Sequence, residues 1–208
     1  MTKDFKVNNN ASLSPGEVKE ILDACNRQFK NSKGKEDSQE GIKIFKKYFN
    51  KDNPRFDINK PLPGQGDWNA LAFTTYFNKI EESKFLMQLG ADSNNKLSGN
   101  ISLVSVAARD GKAALCLYYL KNGSNVDGAS DDGMTPMMRA CEAGHMDVVQ
   151  VMIPFKPNIM LKDNKAKTCL DYGLMNGHYP IVRYIEYFYL QNSIPLKGNS
   201  VIKKAIKI

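Results

Sequence analysis

A spacing of 33 residues recurs through the middle of this 208-residue chain and constrains its fold more than any other feature. Three sets of residues keep that spacing without a gap: Asn78, Gly111, Gly144 and Gly177; Asn69, Ser102, Thr135 and Thr168; Leu71, Val104, Met137 and Leu170. They define four windows, at residues 64–96, 97–129, 130–162 and 163–190. A unit this short cannot bury an apolar face alone, so the repeat predicts stacked units that share a continuous core.

Each window has the same order of polar, small and large apolar residues. A polar turn precedes a short helix whose buried side is expected at Thr74–Thr75, Ala107–Ala108, Ala140–Cys141 and Gly173–Leu174. A tight turn at the Asn or Gly of the first set leads into a second helix with larger apolar residues at helical spacing, such as Val148 and Met152. Gly90 and Gly123 favour a left-handed end to that helix.

The third window resembles the ankyrin repeat over D-G-M-T-P-M-M-R-A-C-E-A-G-H-M-D-V-V, from Asp132 to Val149, because TPLHxA followed by GH is that family's signature. The resemblance covers about residues 64–190 and implies an all-α ankyrin-repeat solenoid with β-turn fingers. The Thr-Pro pair occurs only in this window, and the signature His is replaced by Ala72, Ser105, Met138 and Asp171. Pro154 is expected to shorten the window's second helix, where Lys156 takes the helix-ending glycine position.

The segment before the repeats is predicted to be a degenerate capping repeat at residues 14–63, after a leader at residues 1–13. The run S-P-G-E from Ser14 to Glu17 predicts a helix start with a capping box, and the helix is expected to reach about residue 30. A second helix is expected over residues 42–49, where large apolar residues recur.

The last repeat helix, residues 181–190, carries more aromatic residues than one buried stripe can hold: Tyr184, Tyr187, Phe188 and Tyr189. Terminal repeats usually present a polar outer face, so we expect part of this helix to be covered. The basic tail at residues 191–208 ends in V-I-K-K-A-I-K-I, which as a helix would separate its apolar residues from Lys203, Lys204 and Lys207. The tail is expected to pack either on its own last repeat or on a partner.

The residues that could support catalysis or metal binding are better explained by the repeat. His145 and His178 occupy the same position in consecutive windows, and Cys141, four residues before His145, stands at a small buried position. A calcium loop fails at residues 127–133, because Arg139 stands where Glu is required. No phosphate loop, dinucleotide fingerprint or nucleophile elbow occurs. We therefore expect no catalytic residue, metal, cofactor or small-molecule substrate, and predict that the chain is not an enzyme.

The resemblance implies a concave binding face, lined by the turn tips and by the exposed side of the first helices. Carried over window by window, the partner-binding positions are Trp68, Tyr76, Phe77, Ile101, Arg109, Asp131, Asp132, Met134, Glu142, Lys165 and Lys167. The first two windows present aromatic and apolar residues, the third acidic ones and the fourth basic ones. Because Trp and Tyr are common hot spots, Trp68 and Tyr76 are expected either to anchor an apolar segment of a partner or to pack on the N-terminal cap and on each other.

The formal net charge of +7 lies at the ends, since residues 1–60 and 189–208 contribute +4 each and residues 129–188 contribute −1. We therefore expect a non-enzymatic adaptor or scaffold that binds a protein on its concave face, either free or within a larger assembly. The alternative is a docking protein whose basic ends bind an acidic polymer or surface, such as a cytoskeletal filament, nucleic acid or an anionic membrane. With no secretory signal and no membrane-spanning apolar run, a cytoplasmic or nuclear location is expected.

Overall fold

The computed structural model describes residues 12–26, 39–49 and 56–191. Its helices are α1 (Pro15–Asn26), α2 (Gln39–Tyr48), α3 (Ala70–Tyr76), α4 (Ile80–Gln88), α5 (Leu103–Arg109), α6 (Ala113–Lys121), α7 (Pro136–Ala143), α8 (Met146–Met152), α9 (Cys169–Met175) and α10 (Tyr179–Gln191). Two short strands, β1 (Lys96–Leu97) and β2 (Ile101–Ser102), pair antiparallel in one finger. The predicted all-α fold of helix–turn–helix units is confirmed for the described residues.

The chain divides into two compact units, residues 1–106 and residues 107–208. In the first unit α1 packs on α3 and α2 packs on α4, so first helices form one layer and second helices another. The second unit is built from the same two layers, because α7 packs on α9, α6 on α8 and α8 on α10. Within each unit, one helix pair covers the apolar side of the next, which is the nearest-neighbour stacking that the repeat predicts.

A side-chain oxygen caps the start of each first helix, at the polar residue that recurs every 33 positions. Asn69 Oδ1 accepts a hydrogen bond from the Ala72 amide at 2.9 Å, and Ser102 Oγ accepts one from the Ser105 amide at 3.1 Å. Thr135 and Thr168 each accept one at 3.3 Å from the amide three residues later. These bonds satisfy amides that have no partner within a helix, which explains why the 33-residue pattern keeps Asn, Ser or Thr there.

The turn between the two helices of each window contains one residue in the left-handed region. The φ angle is 57° at Asn78, 70° at Gly111, 80° at Gly144 and 74° at Gly177. In the second unit, the histidine of the following window also packs against this turn. A carbon added at Gly144 would lie 2.5 Å from the His178 ring, and one added at Gly111 would lie 2.8 Å from the His145 ring. Gly111 and Gly144 therefore meet two requirements, a positive φ and space for an imidazole.

The second helices end as their sequences predict. Gly90 and Gly123 follow α4 and α6 with φ angles of 107° and 88°. The third window is shorter: α8 ends at Met152, and a 3₁₀ turn that contains Pro154 follows. Lys156 then adopts a φ of 54°, so the left-handed helix end is kept although the glycine is missing.

The N-terminal helices form the expected pair. The predicted capping box is confirmed, since the Ser14 amide donates to Glu17 Oε2 at 2.9 Å and the Glu17 amide donates to Ser14 Oγ at 3.4 Å. Ile21 of α1 and Phe45 and Tyr48 of α2 are fully buried. The expected continuation of α1 to residue 30 lies outside the described residues, and the limits of the leader and the capping repeat stay predictions.

The aromatic side chains of α10 divide between the core and the surface. Tyr189 is buried and its hydroxyl donates to the Pro157 carbonyl, whereas Tyr187 is 64% exposed. Tyr184 and Phe188 are half-buried. Among the described residues, no helix has the length and apolar character needed to cross a bilayer. The tail with Lys203, Lys204 and Lys207 lies outside the part of the chain that the structure describes.

The two requirements at the repeat turn, a positive φ and space for an imidazole, can be tested with alanine substitutions at two equivalent positions. Gly177→Ala should cost about 1–2 kcal/mol, because only the positive φ opposes it and the added carbon meets nothing within 4 Å. Gly144→Ala should cost at least about 1 kcal/mol more, because its added carbon also overlaps the His178 ring. Urea unfolding of both variants measures the two free energies.

A double-mutant cycle separates the imidazole contact from the backbone strain. In a His178→Ala background, the cost of Gly144→Ala should fall to that of Gly177→Ala. If Gly144→Ala costs the same with and without His178, the histidine does not limit this turn.

Candidate functional site

Four aromatic side chains, Trp68, Phe73, Tyr76 and Phe77, form a group in the first unit that we call the aromatic cluster. The ring centroid of Trp68 lies 5.1 Å from that of Phe73 and 5.6 Å from that of Tyr76, and the centroids of Tyr76 and Phe77 are 5.1 Å apart. The two Tyr76 contacts are edge-to-face, the geometry that aromatic quadrupoles favour. Tyr76 keeps 48% of its surface exposed, while Trp68 and Phe77 are half-buried.

The turn before α3 fixes the position of Trp68 in the aromatic cluster. The Leu62 amide donates to the Trp68 carbonyl at 2.9 Å, and the Trp68 amide donates to the Gln65 carbonyl at 3.3 Å. Leu62 itself is buried, so this turn is anchored to the core of the first unit. Trp68 is therefore held against α3 by backbone hydrogen bonds of the preceding turn as well as by its ring contacts with Phe73 and Tyr76.

Ile101, the other apolar candidate of the first unit, lies on the finger formed by β1 and β2. It is half-buried and pairs with Leu97 across the finger. Ser98, at the tip, donates a hydrogen bond to the Asp67 carboxylate. Because Asp67 directly precedes Trp68, this bond ties the finger to the turn that carries the tryptophan.

The third window presents its acidic candidates on a hydrogen-bonded turn, but another candidate there, Met134, is buried. Asp131 and Asp132 are exposed, and the Asp132 carboxylate lies 3.1 Å from Arg139 Nη2 and accepts the Ser130 hydroxyl at 2.5 Å. Although burial acts to raise the pKa of Asp132, the bonds from Ser130 and the Met134 amide and the nearby Arg139 lower it below the usual range. Met134 was expected to contact a partner, yet it is only 7% exposed, because the turn directs its side chain into the core.

The basic candidates of the fourth window surround a buried carboxylate. Asp163 accepts hydrogen bonds from the Lys165 amide at 2.9 Å, from the Lys167 amide at 2.8 Å and from the Tyr172 hydroxyl at 2.5 Å. Burial acts to raise the pKa of Asp163, but these hydrogen bonds outweigh it and the pKa is lowered. Lys165 is exposed, and Lys167 Nζ lies 3.0 Å from Met175 Sδ.

The two remaining candidates of the second unit are exposed. The Arg109 guanidinium lies 2.7 Å from Asp110, whose other carboxylate oxygen lies 2.9 Å from Lys112. Burial acts to raise the pKa of Asp110, but its bonds to Arg109 and Lys112 outweigh it and lower the pKa. Glu142 is exposed on the last turn of α7.

One helix position, not selected from the sequence, fastens the turn to the first helix in three windows. Phe73, Arg139 and Tyr172 are separated by multiples of 33 residues. Phe73 packs on Trp68, Arg139 Nη2 donates to Ser130 Oγ at 2.9 Å, and Tyr172 donates to Asp163. The signal was available as a recurring position, but the change from an apolar to a charged to a phenolic side chain concealed its common role.

The histidines pack against the turns of the preceding windows, and the cysteines are buried in the core. His145 Nε2 lies 3.0 Å from the carbonyl of Arg109, which belongs to the preceding repeat window. Cys25, Cys116, Cys141 and Cys169 are buried thiols, and none of these four forms a disulfide. Burial raises the pKa of Cys116 to about 12. Within the described residues, no group of three or more His, Cys, Asp or Glu side chains is arranged to hold a metal ion.

The Asp163 carboxylate should contribute a pH-dependent part of the stability. Asp163→Asn should lower the free energy of unfolding by about 1–2 kcal/mol at pH 7, because charge-assisted hydrogen bonds are lost. Since folding lowers the pKa of Asp163, its contribution is present above the unfolded-state pKa of about 3.9 and is lost as the pH falls through the folded-state value. Urea unfolding of both proteins from pH 7 down to about pH 2.5 measures the difference.

The exposed Glu142→Gln supplies a control in which a carboxylate is neutralised without loss of such a network. A difference between wild type and Asp163→Asn that stays constant down to the lowest pH would show that the charge of Asp163 is not what stabilises the turn.

Comparison with known proteins identifies the repeat. A family model described as ankyrin repeats, three copies, matches residues 103–188. The predicted first window, residues 64–96, precedes the matched region. The match therefore covers the windows that contain α5 to α10.

The curated relatives match only part of this chain, and the match is also only part of their own length. The E3 ubiquitin-protein ligase XBAT33 of Arabidopsis thaliana is 33% identical over 97 residues, which is 44% of this chain and 19% of the ligase. An ankyrin repeat-containing protein of Schizosaccharomyces pombe is 31% identical over 65 residues, 31% of either chain. The glycerophosphocholine phosphodiesterase GDE1 of Candida albicans is 26% identical over 110 residues, 51% of this chain and 9% of that enzyme.

The chain thus spans about a third or less of the length of these relatives. Capped first helices, left-handed turns and paired second helices recur at the same 33-residue spacing in the structure. Taken with the match over residues 103–188, this geometry identifies that part of the chain as ankyrin repeats.

Proposed function

We propose that this chain is a non-catalytic adaptor or scaffold module that uses the aromatic cluster to anchor an apolar segment of a protein partner. Ankyrin repeats indicate a protein-interaction module, which makes protein binding the general role. The observation that supports the specific proposal is Tyr76, which remains 48% exposed although its ring has two aromatic neighbours.

The geometry of the cluster favours binding over a purely structural role. A tyrosine held in place by edge contacts has lost its rotamer freedom before a partner arrives, so binding costs less conformational entropy. Trp68 and Phe77, on either side, provide further apolar area that is half-buried and still accessible. Large, rigid aromatic side chains of this kind are the residues most often found as interface hot spots.

The charged candidates of the second unit are proposed to set register rather than affinity. Asp131, Glu142 and Lys165 are exposed, and exposed ion pairs contribute little free energy. Asp132 and Lys167 already contact groups of their own turns, so a partner would meet them as fixed charges. Met134 is excluded from the proposed contact set because it is buried.

The aromatic anchor can be tested by capture from native extract with the immobilised full chain. Tyr76→Ala should lose specific partners by at least about 10-fold, while its melting temperature changes little because half of the side chain is in solvent. The matched control is Tyr118→Ala, which removes a half-buried tyrosine from α6 outside the cluster. Proteins retained by Tyr118→Ala and lost by Tyr76→Ala are the partners of the cluster.

Two readouts distinguish this proposal from the acidic-polymer alternative. Trp68 is the only tryptophan of the chain, so its emission should shift to shorter wavelength when an isolated partner covers the cluster. Binding through the cluster should also change little between about 50 and 300 mM salt, whereas binding of an acidic polymer to the basic ends would weaken steeply. A partner that leaves Trp68 emission unchanged and dissociates with salt would contradict the proposal.

A further inference from the structure

The outer surface of α10 carries three of the large apolar side chains that the structure leaves most exposed. Tyr179, Tyr187 and Leu190 have 59%, 64% and 55% of their surface in solvent. Opposite them, Ile181, Ile185 and Tyr189 are buried in the second unit. The helix is thus apolar on two sides, a pattern that isolated surface helices avoid and that helices covered on both sides show.

The exposed side has the spacing of a helix–helix seam. Tyr179, Arg183, Glu186 and Leu190 follow one another at intervals of four, three and four residues, and all of them except Glu186 are exposed. That alternation places them on one stripe of the helix, as in the seam of a coiled coil. Tyr187 flanks the stripe, so apolar side chains occupy its ends and one side while two opposite charges occupy its centre.

The two central charges are complementary to those of a second, antiparallel copy of α10. If a two-fold axis passes midway between residues 184 and 185, Arg183 of each helix lies opposite Glu186 of the other. The same symmetry pairs Tyr179 with Leu190 at both ends. In this one register, the stripe on one helix is therefore complementary to the same stripe on the second copy, as an isologous interface requires.

Glu186 is a mostly buried acidic residue on this stripe. Its side chain is only 7% exposed, no hydrogen bond or ion pair joins its carboxylate to another described residue, and its oxygens keep some contact with solvent. Burial raises the pKa of Glu186, and Arg183, one turn earlier on the same helix, offsets only part of this effect. A buried carboxylate is stable when a cation reaches it, and such a pair between helices fixes orientation and register.

We propose that α10 forms a homodimer interface, in which two copies of the chain pack antiparallel with Arg183 of each opposite Glu186 of the other. Tyr179 and Leu190 close the two ends of the interface. The pairing joins two chains without using the aromatic cluster of the first unit, so a dimer would carry two copies of that cluster and bind a multivalent partner with increased avidity.

Complementary charge variants of the full chain test the pairing at its exposed ends. Tyr179→Lys and Leu190→Asp change side chains that are more than half in solvent, so each variant should fold normally by circular dichroism. Each alone should weaken dimerisation at least about 10-fold, because a charge then faces an apolar side chain. Mixed in equal amounts they should dimerise again, since the lysine introduced into one chain faces the aspartate introduced into the other. Sedimentation equilibrium of each sample at about 5–500 µM measures the fraction of dimer.

The oligomeric state of the mixed variants shows whether a second copy of the chain covers this face of α10. Dimers in wild type and in the mixture, but not in either variant alone, support the antiparallel pairing. Arg183→Glu should likewise abolish the dimer, and circular dichroism of this variant shows whether its fold is kept, because the new carboxylate lies one turn from Glu186. A wild-type chain that stays monomeric at the highest concentration overturns the proposal, and so does a mixture that stays monomeric, since the face would then be covered by another protein or by another segment of the chain.

Discussion

The left-handed residue between paired helices is the constraint on which the rest of this structure depends. It reverses the chain within a few residues, so the second helix lies against the first and both present an apolar side to the next pair. In the second unit the turn also contacts the following repeat, since His145 and His178 pack where Gly111 and Gly144 have no side chain. A local backbone requirement thereby becomes a contact between repeats, which couples the conformation of one turn to the position of its neighbour.

The fold could be predicted from the sequence because its determinants are local and repeated. Glycine at a fixed interval predicts a positive φ. A Thr, Ser or Asn that stands nine residues earlier predicts the start of a helix, and the buried residues follow the helical period. The N-terminal pair shows the limit of this reasoning. Its capping box at Ser14 and Glu17 was readable, whereas the packing of α1 on α3 rests on contacts between distant residues that no local pattern encodes.

The candidate site was less predictable, since exposure depends on how each turn is tied down. Met134 occupies a turn position that often faces a partner, but the network around Asp132 and Arg139 turns the backbone so that Met134 enters the core. Trp68 was expected either to contact a partner or to pack on the N-terminal cap and on Tyr76, and in the structure its ring packs on Phe73 and Tyr76 and is half-buried. Phe73, Arg139 and Tyr172 each hold a turn against its first helix. Phe73 does so by a ring contact, Arg139 by a hydrogen bond from its guanidinium and Tyr172 by a hydrogen bond from its hydroxyl.

The four buried cysteines give the chain a set of internal probes of local opening. Cys25, Cys116, Cys141 and Cys169 lie on α1, α6, α7 and α9, so each reports on a different helix. A thiol that is shielded from solvent reacts with an alkylating reagent only when the helix around it opens. The order in which the four thiols become modified would therefore record where the stack of repeats begins to unfold, with no label added to the protein.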